Sequence, residues 1–105
     1  MIVVGPLADL PPDSAVRVEA EVPIAVFNVD GELFAIDDTC THQDASLADG
    51  YLEDCRVECP LHASTFDLRT GRPDGPPAKL AVRTHEVTVV DGVVHVVLSD
   101  APVPP

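Results

Sequence analysis

The chain has 105 residues, 46% of them apolar but only 4% aromatic, and a formal charge of −12 at neutral pH. That length allows one domain and no separate catalytic one. With 6 Lys and Arg against 18 Asp and Glu, nucleic acid and anionic membranes are excluded as partners, because phosphate binding needs clustered cations.

A basic protein surface is the natural complement of this charge, although acidity also serves solubility alone. No apolar run approaches the ~18 residues of a membrane span, and the start MIVVGPLADLPP has neither a basic segment nor a long apolar one, so a cytoplasmic protein is expected. Three cysteines in a reducing compartment point to metal or redox chemistry rather than a disulfide framework. A small chain without tryptophan gains from a metal staple.

After a proline-bearing turn at Leu10-Pro11-Pro12, the stretch VPIAVFNVDGELFAI alternates. Ile24 and Val26 fall on one face, Ala25, Phe27 and Val29 on the other. Asp30-Gly31 then supplies a two-residue turn and Leu33 to Ile36 run back, which predicts a hairpin. Residues 38–78 break this regularity. They hold all three cysteines, two of the four histidines and several turn signals, with only short strand-like pieces at Tyr51-Leu52 and Arg56 to Glu58. Their apolar periodicity is too weak to order the segment unaided. A second hairpin follows around Asp91-Gly92, with Val90 facing Val93, Val89 facing Val94, Thr88 facing His95 and Val87 facing Val96. The tail SDAPVPP, residues 99–105, is expected to fray.

Inside the middle segment, TCTHQDA places Cys40 and His42 one residue apart, and ECPLHAS places Cys59 two residues before His62. Sixteen residues separate His42 from Cys59. One zinc ion accepts two cysteines and two histidines, but its usual knuckles pair like with like and carry the histidines on a helix. Mixed loops suit two metal ions, each loop giving a thiolate to one iron and an imidazole to the other.

The pattern CxH, sixteen residues, CxxH, with GYLED before the second loop and FDLRTG after it, resembles Rieske [2Fe-2S] proteins. Among them it resembles the ferredoxin components of bacterial ring-hydroxylating dioxygenase systems. The resemblance covers nearly the whole chain. It implies an all-β Rieske fold: two antiparallel base sheets, an inserted cluster-binding subdomain at about residues 38–68, and a proline loop at about 74–78. It also implies one [2Fe-2S] cluster, with Cys40 and Cys59 on the buried iron and His42 and His62 on the outer iron. Pro76, within Gly75-Pro76-Pro77, would cover the cluster, although as bare residues that stretch also reads as an ordinary turn, and Leu61 next to His62 reads either as a cluster shield or as an ordinary loop residue. The implied function is one-electron transfer from a flavin-dependent reductase to a terminal oxygenase by a cytoplasmic monomer that is not itself an enzyme.

The respiratory branch of the family carries two further cysteines that form a disulfide between the loops. Ala45 and Leu61 occupy those positions here, so that disulfide cannot form. Phe66 stands where that branch has a tyrosine donor to a ligand cysteine, while Ser64 matches its serine donor to a bridging sulfide. Hydrogen bonds to cluster sulfurs raise the potential. The loss of one donor therefore implies the lower part of the range of about −150 to +300 mV.

Other residues draw plainer readings. Cys55 is expected to be a free, partly exposed thiol at a turn tip, outside the ligand set. His85 and His95 fall on opposite faces of their hairpin, which argues against an iron triad with a carboxylate. Leu47 reads either as a cluster shield or as an ordinary loop residue. Asp37, Asp38, Asp44, Asp49, Glu53 and Asp54 read as an acidic docking face or a solvated surface. Rival readings are the small subunit of an assimilatory nitrite reductase, a structural zinc module, and a redox or iron sensor.

Overall fold

A computed structural model describes residues 2–20, 22–39, 45–60, 65–73 and 81–98. The predicted proline loop and tail lie outside them. Among the described residues nine strands occur: β1 (Ile2–Pro6), β2 (Ser14–Val18), β3 (Ile24–Val29), β4 (Glu32–Asp37), β5 (Tyr51–Glu53), β6 (Arg56–Glu58), β7 (Thr65–Asp67), β8 (Thr84–Val90) and β9 (Val93–Val97). The helical content of the described residues is two single 3-10 turns, Leu7–Asp9 and Leu47–Asp49.

β8 is the strand that joins the base sheets. Its first residues pair with β4, Thr84 opposite Ile36 and His85 opposite Ala35, and the rest pairs with β9. Two antiparallel sheets, β2-β3-β4-β8 and β8-β9-β1, thereby merge into one six-stranded sheet of order β1-β9-β8-β4-β3-β2. A separate sheet, β5-β6-β7, is formed by strands that lie in the chain between β4 and β8.

Both predicted hairpins form with the predicted partners. Their turns require positive φ at both central residues, and Asp30-Gly31 (53° and 98°) and Asp91-Gly92 (51° and 76°) adopt it. β1 and β2, by contrast, carry no clear sequence signal. β1 contains Gly5 and ends in Pro6, and its register shifts between Val3 and Gly5; it exists because β9, at the other end of the chain, pairs with it.

β3 explains where the core sits. Successive side chains point to opposite faces of a strand, and here both faces are covered. Ile24 and Val26 pack with Leu10, Ala35, Val94 and Val96. Ala25 and Phe27 pack with Ile36, Leu47, Val57, Cys59, Phe66 and Leu68. The second cluster faces the small sheet, whose inward row is Leu52, Val57 and Phe66, aligned across β5, β6 and β7.

Candidate metal centre

Three connections converge on this second core, and the residues at their ends show how each is closed. The first leaves β4. Thr39 and Ser46 form an antiparallel bridge across its neck, and the Leu47 amide donates to the Asp38 carbonyl at 2.7 Å. Leu47 is fully buried in the same cluster as Cys59. The return segment then reaches Gly50, where a Cβ would collide with the carbonyl oxygen of Glu58. Glycine is needed there for close approach, since the backbone is extended (φ −79°).

The second connection leaves β6 at Cys59, immediately after the Glu58–Thr65 pair that ends the β6–β7 ladder. Cys59 is 1% exposed. The third follows β7. Phe66 bridges to Pro73, the Asp67 amide donates to the Arg72 carbonyl at 2.9 Å, and the Val82 amide donates to the Gly71 carbonyl at 2.8 Å. Gly71 has φ +77°, and a Cβ on it would strike the Val82 carbonyl oxygen. The departure and return of the third connection are thus tied together on a glycine.

Of the predicted site residues, Cys59 is described, with Ala45 and Leu47 in its core cluster. Cys40, His42, Leu61, His62, Ser64 and Pro76 lie outside the described residues. Among the described residues no group of three or more His, Cys, Asp or Glu side chains could hold a metal ion. His85 is buried and its Nε2 lies 2.8 Å from Asp37 Oδ1. His95 pairs across the sheet with Thr88, and the buried His95 Nδ1 and Thr88 Oγ1 find no hydrogen-bond partner among the described residues.

Three sequence expectations need correction. Cys55 is 5% exposed, not a surface thiol. Asp54 and Cys55 form a tight turn with φ of 50° and 62°, and the Leu68 amide donates to the Cys55 carbonyl at 3.0 Å. That bond folds the tip onto the core, so burial of the side chain offsets a left-handed conformation costing about 1 kcal/mol. Burial pushes the thiol's pKa up, with Asp67 and Glu32 adding to it and Arg69 and Arg56 opposing it, so Cys55 stays a neutral core thiol.

Asp37 and Asp38 are likewise not part of a free acidic surface. Asp38 is 1% exposed. Asp37 accepts from Arg83 Nε at 3.0 Å besides its contact with His85. Burial pushes the Asp37 carboxyl up, but the hydrogen bonds and charges of His85 and Arg83 outweigh it and hold it below its ordinary value of 3.8. A lowered carboxylate pKa contributes stability that is present above about pH 4 and is lost as pH falls through the folded value. Asp37→Asn should therefore lie below wild type in unfolding free energy near neutrality, with the gap closing under acid. Urea titrations that stay parallel at every pH would show that the carboxylate contributes nothing.

The family model of the Rieske [2Fe-2S] domain matches residues 1–86. The chain belongs to the Rieske [2Fe-2S] family. This Rieske protein is 46% identical over 93 residues to the 3-phenylpropionate/cinnamic acid dioxygenase ferredoxin subunit of Photorhabdus laumondii, covering 88% of this chain and 89% of that one. Its structure superimposes on the ferredoxin of Sphingomonas yanoikuyae B1 with a TM-score of 0.86 at 36% identity, over 93% of this chain and 98% of that one. It also matches a chain in the complex of reduced oxygenase and oxidised ferredoxin of carbazole 1,9a-dioxygenase, with a TM-score of 0.87 at 36% identity, over 91% and 100% of the two chains.

The cofactor is one Rieske-type [2Fe-2S] cluster. What the structure describes fits that group. A thiol buried in apolar surroundings at a strand end, as Cys59 is, offers a soft donor screened from water, which suits the buried iron of such a cluster.

Proposed function

We propose that this protein is the ferredoxin component of a ring-hydroxylating dioxygenase system. It takes one electron from a flavin-dependent reductase and delivers it to a terminal oxygenase, without performing substrate chemistry. The observation that carries this reading is the 46% identity to a dioxygenase ferredoxin subunit over nearly the full length of both chains. That relative's name suggests an arylpropanoid acid as the oxygenase's substrate. The proposed protein is a cytoplasmic monomer, and among the described residues no helix is long and apolar enough to cross a membrane.

Within the cluster subdomain, about residues 38–68, Cys40 and Cys59 would hold the inner iron, and His42 and His62 the outer iron. When bound, such a cluster supplies reversible one-electron storage at a potential tuned by ligands, hydrogen bonds and exposure. The chain's residues prepare that role. Leu47 and Ala45 share the buried cluster of Cys59 and would help keep water from its sulfur, Ser64 would donate to a cluster sulfur, and Leu61 and Pro76 would cover the cluster.

Dithionite-reduced protein is expected to give the low average g-value of a histidine-ligated [2Fe-2S] centre. Its midpoint potential is expected to fall with pH in the alkaline range, because reduction adds negative charge and raises the pKa of ligand histidines. A colourless protein holding one zinc would end the cluster reading, and a pH-independent potential would remove His42 and His62 as ligands. Reconstitution with the reductase and terminal oxygenase of a 3-phenylpropionate dioxygenase should support product formation. A normal spectrum without turnover would overturn the choice of partner alone.

A further inference from the structure

Asp38 is a buried carboxylate lying two residues before Cys40, and nothing in the ligand pattern calls for it. At 1% exposure an unpaired charge would be costly. Its surroundings show what it is used for. Asp38 Oδ1 accepts from Ser46 Oγ at 2.8 Å and from the Ala48 amide at 2.9 Å. Its carbonyl accepts from the Leu47 amide at 2.7 Å, and its own amide donates to the Pro23 carbonyl at 2.9 Å. Arg17 Nε stands 3.6 Å from Oδ2.

All three bonds from Ser46, Leu47 and Ala48 come from the far side of the connection that carries Cys40 and His42. The Thr39–Ser46 bridge lies beside them. One residue thus pinches the neck of that connection from the end of β4, while its amide anchors the pinch to the segment before β3. Hydrogen bonds to a charged acceptor are roughly twice as strong as those to a neutral one. A carboxylate here makes a stiffer neck than an amide of the same shape.

We infer that Asp38 is a positioning residue for the cluster: its carboxylate, closed on Ser46 and Ala48, fixes where the first ligand-bearing connection presents its cysteine and histidine. The inference rests on the proposed ligand role of Cys40 and His42. It concerns hydrogen bonding alone and needs no change of protonation.

Asp38→Asn keeps the volume and weakens the pinch. Ser46→Ala removes one of the two donors and leaves the charge and backbone bonds in place. Val26→Ala, in the core on the other face of β3, is the control for general destabilisation. All are compared as holoprotein. Relative to wild type, Asp38→Asn should lose its cluster several-fold faster under chelator, less than the ~10-fold or more in affinity that removing a direct hydrogen-bond partner of a metal ligand costs. It should also shift the g-values of the reduced centre. Ser46→Ala should change both in the same direction by less, and decides the matter if Asp38→Asn does not fold. Val26→Ala should lower the melting temperature with g-values unmoved.

If Asp38→Asn and Ser46→Ala release the cluster no faster than Val26→Ala at equal distance below their melting temperatures, with unchanged g-values, the inference is overturned. Failure of the underlying ligand reading is distinguishable, because wild-type protein would then itself lack the histidine-ligated spectrum.

Discussion

Cys59→Ser is expected to purify without colour, its iron falling from about two atoms per chain to background. Serine keeps the volume but offers a hard, protonated hydroxyl in place of a soft thiolate, and the site is 1% exposed, so water cannot complete the coordination. Metal binding is coupled to ligand deprotonation, and a hydroxyl in apolar surroundings resists ionisation still more than a thiol. The six-stranded sheet should survive, because Ile24, Val26, Ala35, Val94 and Val96 form a core on the face of β3 away from Cys59. Iron and sulfide assays with far-ultraviolet circular dichroism check both parts. A variant with full iron content and the wild-type spectrum would remove Cys59 from the ligand set.

Phe66→Ala should cost about 3–5 kcal/mol, a large share of the ~5–15 kcal/mol that stabilises a typical domain. The ring is fully buried, and its backbone lies between Val57 on β6 and the bridge to Pro73. It therefore supports the exits of the second and third connections together. Cluster loss should accompany the drop in stability. Denaturant titration measures it, and Val3→Ala, at a side chain 64% exposed, should stay within about 0.5 kcal/mol of wild type. A cost below about 1 kcal/mol at Phe66 would mean that the small sheet does not depend on this core.

How much of this was legible in the residues varies with the distance over which each feature is decided. The Asp-Gly turns announce their hairpins, because two adjacent positive-φ residues between alternating strands have few other uses. The short strand-like pieces at Tyr51-Leu52 and Arg56 to Glu58 do form strands, β5 and β6. β1 was not legible, since its partner β9 comes from the opposite end of the chain. Cys55 was legible as a turn residue but not as a buried one, since the Leu68 amide bonded to its carbonyl and the core cluster both residues share come from later in the chain. Asp37 and Asp38 read as two more charges in an acidic segment until Arg83, His85, Ser46 and Ala48 were seen around them.

Ligand chemistry is local: two short mixed cysteine and histidine loops name the cluster family before any fold is known, because few metal groups ask for a thiolate and an imidazole from each of two loops. Packing is not local. That one strand would separate two cores, that β8 would join the base sheets, and that a carboxylate beside Cys40 would close a neck instead of facing water were decided by segments far apart in sequence. Burial and hydrogen-bond partners become defined only when those segments meet.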